Sequence, residues 1–303
     1  MMGLTYLQQR FHDLVGDVDL RNFEPLSEHT SFRIGGEAEI MAFPKNIEEL
    51  RKVLITSAIL DCKSVILGAG TNVLAPDEGV AGIVICLKDA FHGIQMLDGN
   101  RICCMAGTTM TKAAVFAANN NLSGMEFAHG IPGTVGGGVY MNAGAYGGEI
   151  SQICESVQVM DRQGNMRELD NKNLNFSYRH SVLTDSDDII VSATFQLQPG
   201  CNDEIRSKMK ELMAKRTASQ PLDMPSAGSA FKRPSGYYAA ALIDQAGLRG
   251  FRVGGAEIST KHAGFIVNCG DATANDVKEL IRSTTDHVYA QFQVSLEPEI
   301  RIW

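Results

Sequence analysis

The sequence lacks the segments that would place a protein in a membrane or direct it out of the cell. No window approaches the roughly 18 consecutive apolar residues of a membrane span. The first twenty residues, MMGLTYLQQRFHDLVGDVDL, have no basic start followed by an apolar block. We therefore expect a cytoplasmic protein. Its 303 residues, 44% of them apolar, suffice for about two domains.

Metal-binding and nucleic-acid-binding patterns are missing as well. The seven cysteines never form C-x-x-C, so we expect reduced thiols that mostly fill cores. The seven histidines show neither H-x-x-x-H nor H-E-x-x-H, which argues against a dedicated metal site. The formal net charge of −8, without a cluster of Lys and Arg, disfavours nucleic acid as a partner. An anionic ligand would have to be held locally.

Helix and strand patterns alternate along the chain and predict a mixed α+β protein of two parts. Helices are predicted after Asn46, after Asn202, within 237–247 and after Thr273. The second of these helices has the apolar stripe Ile205, Met209, Leu212 and Met213. Strands are predicted at 64–67, 82–87, 189–197 and in the final EIRIW, with a hairpin over 157–169. Because Pro199 and Gly200 interrupt the pattern, we place a domain boundary near residue 200.

Glycine is concentrated in one stretch, GIPGTVGGGVYMNAGAYGG at residues 130–148, which has eight glycines in nineteen positions. Glycine allows positive φ and close approach to the main chain, at a cost in conformational entropy. The stretch therefore favours a ligand held by peptide N–H groups; a run of tight turns is the alternative.

Two further motifs strengthen the ligand interpretation. SVILGAGTNVLAP, 64–76, has Val73 where the dinucleotide fingerprint needs its third glycine, and an apolar strand follows in place of a helix, so a Rossmann site is excluded. The turn can still form a nest of N–H groups for a phosphate, with Thr71 and Asn72 as side-chain donors. HTSFRIGGEAE, 29–39, adds Arg33 beside two glycines. With little basic charge nearby, backbone dipoles would carry most of the binding of a pyrophosphate.

The motifs HTSFRIGG, GAGTN, GIPGTVGG, NAGAYGG, YRHS, GSAFKRP, GGAEISTKHAGFIVN and LEPE occur here in the order of one known family. From about residue 25 onward, the chain resembles the UDP-N-acetylenolpyruvoylglucosamine reductases, FAD enzymes that complete UDP-N-acetylmuramate for the bacterial cell wall. The resemblance implies a two-lobed FAD-binding unit of the vanillyl-alcohol-oxidase (PCMH) type over 1–200. It implies an α+β substrate-binding domain over 201–303. It further implies noncovalent FAD, NADPH as co-substrate, a UDP-sugar substrate and a monomer or weak oligomer.

The resemblance also assigns cofactor contacts. The implied FAD-binding residues are Arg33, Gly68, Ala69, Gly70, Thr71, Asn72, Gly130, Ile131, Pro132, Gly133, Thr134, Gly136, Gly137, Asn142, Ala143, Gly144, Ala145 and Tyr146. The residues up to 138 would lie along the pyrophosphate and adenosine half of FAD, and NAGAY would run past the flavin.

Three residues match the family's catalytic positions. The substrate is an enol ether conjugated to a carboxylate, so hydride addition to the terminal carbon leaves negative charge on the adjacent carbon and the carboxylate. Arg179 of YRHS would supply the fixed cation. Ser229 of GSAF would donate the proton that quenches the carbanion. Glu299 of LEPE would be the acid that polarises the carboxylate.

The implied substrate contacts are Lys232, Arg233, Gln245, Lys261 and His262. For His262, a purely structural role is an equal alternative. Longer members of the family carry an inserted loop with a tyrosine after YR-x-S and have asparagine after FK. Here HSVLTDSDD leads directly into a strand and position 233 is arginine, which resembles the shorter subclass without that tyrosine.

Two other functions stay open from the sequence. A flavin oxidase or dehydrogenase of the same fold would share the first 200 residues, although GSAFKRP and LEPE favour the reductase. A flavin- or nucleotide-sugar-binding protein without turnover would keep its function after loss of Ser229 or Glu299, whereas the reductase would not.

Overall fold

The computed structural model describes residues 4–88 and 90–303. The chain forms two compact units, each assembled from three separate segments. The first unit comprises the residues up to Glu24, Glu39–Ala69 and Ala81–Ala214; the second comprises Pro25–Ala38, Gly70–Val80 and Lys215–Trp303. The units therefore differ from the single linear boundary predicted near residue 200. Because compactness does not show which ligand a unit binds, the functional domains 1–200 and 201–303 stay a prediction.

The helices agree with the predicted mixed architecture. Those in the described residues are α1 Tyr6–Val15, α2 Ile47–Ile59, α3 Met110–Asn119, α4 Val135–Tyr140, α5 Asn202–Ser219, α6 Ala239–Gln245 and α7 Ala274–Phe292. The strands are β1 Asp19–Pro25, β2 Glu37–Phe43, β3 Ser64–Leu67, β4 Val73–Leu74, β5 Val80–Cys86, β6 Ile94–Leu97, β7 Arg101–Met105, β8 Leu122–Ser123, β9 Gly144–Ala145, β10 Gly148–Glu149, β11 Cys154–Met160, β12 Met166–Asp170, β13 Ile189–Gln196, β14 Gln198–Pro199, β15 Arg252–Val253, β16 Ala256–Ile258, β17 Ile266–Asn268 and β18 Arg301–Ile302.

The first unit is built on two sheets. One has the strand order β1-β2-β5-β3, and the other has the order β12-β11-β13-β7-β6 with antiparallel neighbours. The predicted hairpin is confirmed, since β11 and β12 pair antiparallel on either side of the turn at 161–165. One apolar core, which runs from Phe11 to Leu212, joins both sheets to α2, α3 and α4. These sheets position the loops that precede and follow α4.

The second unit has less regular secondary structure. It contains the three-stranded sheet β15-β16-β17, helices α6 and α7, and the parallel pair β4 and β18. Its own apolar core includes Phe32 and Leu74 from the two early segments together with Val277 and Leu280 of α7. These early segments thus belong to the core that the last ninety or so residues build, which explains why the unit is discontinuous in sequence.

Capping predictions succeed where the signal is local. The Asn46 side chain accepts the Glu49 N–H at the start of α2, and Thr273 forms a capping box with Asp276 at the start of α7. Asn202 is not a cap, because it lies inside α5 and its side-chain amide donates to the carbonyl of Ala118.

The stripe predicted for α5 is correct in three of its four positions. Ile205, Met209 and Leu212 are buried, whereas Met213 is 37% exposed and therefore not part of the core. Among the described residues, no helix combines the length and the apolar character needed to cross a membrane.

Candidate active site

The predicted site residues fall into both units. Arg179, Gly68, Ala69 and the positions from Gly130 to Tyr146 belong to the first unit. Arg33, Gly70, Thr71, Asn72, Ser229, Glu299 and the five predicted substrate contacts belong to the second. The unit boundary therefore falls inside the GAGTN motif.

In the first unit, the two glycine motifs meet at Thr134. This buried residue is the N-cap of α4, and its Oγ1 accepts the N–H of Gly137 at 3.3 Å. A Cβ on Gly68 would lie 2.6 Å from the same Oγ1. Gly68 is therefore required by the protein's own packing, since no side chain fits between the two loops.

The glycines of α4 divide by what lies next to them. A Cβ on Gly136 would lie 2.9 Å from the Ala106 Cβ, and one on Gly138 would lie 2.9 Å from the Met110 sulfur. Gly137 is exposed, and a Cβ there would meet only the Thr134 Oγ1 at an ordinary 3.6 Å. Glycine inside a helix costs up to about 1 kcal/mol relative to alanine, and the bare face at Gly137 meets no close protein contact that would require glycine. It therefore fits the predicted FAD.

The rest of the stretch forms a hairpin with a strained tip. Its strands are β9 and β10, in the register Gly148 to Ala145. Tyr146 and Gly147 turn the chain with φ of 54° and 87°. Positive φ is costly for a residue with a side chain and is concentrated at functional sites. Tyr146, which is 48% exposed, is therefore placed by the fold rather than by local preference.

Arg179 lies in a tight turn. The backbones of Ser177 and His180 exchange two hydrogen bonds, of 3.0 and 3.2 Å. Arg179 has a φ of 56°, the positive value that a type II turn requires at its third residue and that favours glycine. Its guanidinium carbon lies 5.1 Å from the ring centroid of Tyr178. The turn therefore holds Arg179 in a backbone conformation that few residues with a side chain adopt.

Side chains of the neighbouring NAGAY region secure this turn. The Asn142 Nδ2 donates to the Ser177 carbonyl at 3.0 Å, and the Ser181 hydroxyl donates to the Tyr140 carbonyl at 2.8 Å. Ser151 donates its backbone N–H to the Asn142 Oδ1 at 2.9 Å. The sequence predicted Asn142 as an FAD contact and did not indicate these bonds, because they join residues far apart in the chain.

In the second unit, the GSAFKRP and LEPE segments lie side by side. The Glu299 N–H donates to the Ala230 carbonyl at 2.9 Å, and the Lys232 N–H donates to the Glu297 carbonyl at 2.8 Å. On its other side, Ser229 pairs with Phe265 of the STKHAGF segment. This pairing places the predicted proton donor Ser229 one position away from the residue bonded to Glu299.

Asn72 joins the GTN loop to LEPE. Its Nδ2 donates to the Glu299 carbonyl at 3.1 Å, and its own carbonyl accepts the Arg301 N–H at 3.0 Å. The neighbouring strands β4 and β18 continue the contact as a parallel pair. The Asn72 amide thus holds the backbone of a predicted catalytic residue.

The HTSFR segment packs against the same loop. The Ser31 N–H and hydroxyl both lie within hydrogen-bond distance of the Gly70 carbonyl, at 3.1 and 3.3 Å. A Cβ on Gly70, whose φ is 62°, would lie 2.2 Å from the His29 carbonyl oxygen. Gly70 is therefore demanded by this backbone contact. Arg33 is exposed two residues further on, with a φ of 55°.

Two predicted substrate contacts already have partners within the second unit. Lys232 forms an ion pair with Glu297, so an anionic ligand would compete with that carboxylate. The Arg233 guanidinium carbon lies 4.4 Å from the ring centroid of the exposed Tyr238. The sequence did not indicate these partners: LEPE pointed to Glu299 and not to Glu297, and an exposed tyrosine carries no motif signal.

The remaining predicted substrate contacts differ in environment. Gln245 is exposed at the end of α6, and the Lys261 ammonium donates to the Thr217 carbonyl at 2.8 Å. The His262 Nδ1 accepts the Gly264 N–H at 3.1 Å, so its ring proton lies on Nε2. Burial lowers the pKa of His262, with a smaller contribution from the nearby Arg249 charge. The structural alternative for His262 therefore has direct support.

Within the described part of the chain, no group of three or more His, Cys, Asp or Glu side chains could hold a metal ion. After YRHS, the chain passes through the short turn at Val182–Asp185 and enters β13.

Two family models match the chain and cover most of it. The model described as "FAD binding domain" matches residues 38–170, and the model described as "UDP-N-acetylenolpyruvoylglucosamine reductase, C-terminal domain" matches residues 220–303. Fold and site therefore define an FAD-binding flavoprotein with an α+β substrate-binding domain. The predicted fold class, with an FAD-binding unit of the vanillyl-alcohol-oxidase type, is confirmed.

Relatives of nearly equal length specify the family. A UDP-N-acetylenolpyruvoylglucosamine reductase of Pediococcus pentosaceus is 42% identical over 98% of both chains. One from Clostridioides difficile is 43% identical over 96% of this chain and 95% of its own. The crystal structure of the reductase from Thermus caldophilus is 36% identical, with a TM-score of 0.79 over 94% of this chain and 98% of that one. The chain belongs to the UDP-N-acetylenolpyruvoylglucosamine reductase family.

Proposed function

We propose that this protein catalyses the FAD-dependent reduction of UDP-N-acetylglucosamine enolpyruvate to UDP-N-acetylmuramate, a peptidoglycan precursor, with NADPH as the electron donor. The main support is a 42% identity, over 98% of both chains, to a reductase of this name. The matches to an FAD-binding domain and to the C-terminal domain of these reductases agree with it. The chemistry that FAD would supply when bound is hydride transfer to the substrate.

Three side chains would act on the developing charge. The planar guanidinium of Arg179 can bind a carboxylate through two parallel hydrogen bonds. Ser229 would transfer its hydroxyl proton to the carbon next to the carboxylate. Glu299, whose backbone is held by Asn72 and Ala230, would act in its protonated form and donate its O–H to the carboxylate that gains charge. Lys232 and Arg233 would bind the diphosphate of the UDP group.

The other predicted contacts would complete both ligand sites. The glycine loops and Arg33 would bind FAD without a covalent link, with the bare face at Gly137 against the cofactor. The nucleotide-sugar site would be lined by Gln245, Lys261 and His262. The Nε2–H group of His262 would donate a hydrogen bond to the ligand.

We also propose that the enzyme works in the cytoplasm, as a monomer or weak oligomer, without nucleic-acid or membrane partners. The formal net charge of −8 and the absence of a basic cluster in the sequence argue against nucleic acid as a partner.

The reaction can be tested in its two halves. Under anaerobic conditions, one equivalent of NADPH should bleach the visible flavin band, and UDP-N-acetylglucosamine enolpyruvate should then restore it. Ser229→Ala should slow the restoration by about 10²–10⁴-fold, the usual contribution of a proton donor, and leave the bleaching unchanged. Ser283→Ala, on the exposed face of α7, is the matched control.

Each failure has its own meaning. If NADPH does not bleach the band, the proposed electron donor is wrong. If the band bleaches and only oxygen restores it, the proposed substrate is wrong and an oxidase of the same fold is favoured. If the Ser229 variant restores the band as fast as the wild type, Ser229 is not the proton donor.

A further inference from the structure

The side chain of Asn142 is enclosed by the protein and used at both ends. Its relative exposure is 1%, its Oδ1 accepts the Ser151 N–H, and its Nδ2 donates to the Ser177 carbonyl. Its backbone has a φ of 42°, which asparagine tolerates better than most residues with a side chain. The amide therefore joins three chain segments at one buried point.

The atom that Asn142 bonds is the one that closes the Arg179 turn. The Ser177 carbonyl oxygen accepts the His180 N–H at 3.2 Å and the Asn142 Nδ2 at 3.0 Å. On the far side of the turn, Ser181 is fully buried and donates to the Tyr140 carbonyl. The chain before Tyr178 is thus bonded to Asn142 at Ser177, and the chain after Arg179 is bonded to Tyr140 at Ser181.

This arrangement has a consequence for reactivity. Arg179 has a backbone conformation that a free loop would not favour, so the turn needs bonds from outside to persist. A displacement of about 1 Å in a catalytic group, relative to the reacting atoms, can lower the rate by about 10²-fold. The Asn142 amide is itself buried, with both polar atoms bonded, so its side chain is fixed and offers the Ser177 carbonyl a donor at a fixed position.

We propose that Asn142 is a positioning residue for Arg179, which acts through the Ser177 carbonyl rather than through contact with FAD or substrate. The inference rests on the proposed function, in which Arg179 faces the substrate carboxylate. The sequence predicted Asn142 as an FAD contact. On this proposal, both polar atoms of its side chain bond the protein backbone instead.

Two variants separate the lost bond from other effects. Asn142→Gly removes the amide and tolerates the positive φ. Asn142→Asp keeps the acceptor for Ser151 and replaces the donor to Ser177 by an oxygen. Asn120→Asp is the matched control, because the Asn120 amide also donates to a backbone carbonyl of the first unit, that of Phe116, and bonds neither the turn nor Ser151.

The kinetic experiment follows each half-reaction by anaerobic stopped-flow absorbance. We expect Asn142→Gly and Asn142→Asp to slow substrate-driven restoration of the flavin band by about 10- to 100-fold. Bleaching by NADPH and the Kd for FAD should match the wild type. In an Arg179→Ala background, Asn142→Gly should cause no further loss, since coupled residues are not additive. An additive loss, a weaker Kd for FAD, or an effect confined to the aspartate variant would overturn the proposal.

A second measurement does not depend on the reaction. Hydrogen exchange of the apoprotein should be faster for the His180 amide in Asn142→Gly than in the wild type or in Asn120→Asp. Unchanged exchange at His180 would refute the positioning role. If the turn loosens as expected while the wild-type flavin is not restored by the enolpyruvyl substrate, the proposed function fails and the structural role of Asn142 stands.

Discussion

Replacing Gly137 by alanine should stabilise the protein and weaken its cofactor binding at the same time. The added Cβ would meet only the Thr134 Oγ1 at 3.6 Å, so the apoprotein has room for it. Alanine is better than glycine in a helix by up to about 1 kcal/mol. For a cooperative unit of this size, that gain raises the melting temperature by about 2–4 °C.

The same methyl group would face the cofactor. Overpacking a filled contact costs about 1–3 kcal/mol, which corresponds to an increase of about 5- to 150-fold in the Kd for FAD. The control Gly136→Ala should instead lower the apoprotein melting temperature, because its Cβ would lie 2.9 Å from the Ala106 Cβ.

Scanning calorimetry of the apoprotein and a flavin-fluorescence titration measure the two effects. If Gly137→Ala binds FAD as tightly as the wild type, the bare face of α4 does not meet the cofactor. If the variant melts below the wild type without FAD, the space inferred at this position is absent.

Two further predictions concern titrating groups. Burial lowers the pKa of His262 below its ordinary value of 6.5, so the unfolded chain binds more protons as the pH falls through that value, and acidification should destabilise the protein. His262→Asn, which keeps an acceptor for the Gly264 N–H, should flatten the pH dependence of the melting temperature between about pH 7 and 5; an unchanged slope would contradict this assignment. Burial raises the pKa of Cys104 and of Cys154 to about 12. Iodoacetamide at neutral pH should therefore label the exposed Cys201 in the native protein and spare both buried thiols, as peptide mass spectrometry can check.

Features that depend on residues close in sequence were predictable. The cap of α2 at Asn46 and the capping box at Thr273 each involve a bond across three positions, and the hairpin of β11 and β12 turns within five. Glycine density likewise located the stretch around α4. Such features carry their partners inside the same short window, so a pattern can reveal them.

Features that depend on distant partners were not predictable from the chain alone. Asn202 has the residue type of a cap, but Ala118 from another segment takes its amide. Lys232 is ion-paired with Glu297, which no local pattern links to it. The amides of Asn72 and Asn142 donate to the carbonyls of Glu299 and Ser177, which lie far away in the sequence.

The parallel pair of β4 and β18 can form only late in synthesis, because its two strands lie far apart in the chain. Val73 pairs with Arg301, so 301 − 73 = 228 residues separate the two partners in synthesis. At about 5–20 residues per second on the ribosome, segment 70–80 waits roughly ten to fifty seconds for its neighbour. During that interval, Val73 and Leu74 lack the strand partner that they have in the folded chain. The loop that carries Asn72 thus reaches its final form only when translation has passed Arg301.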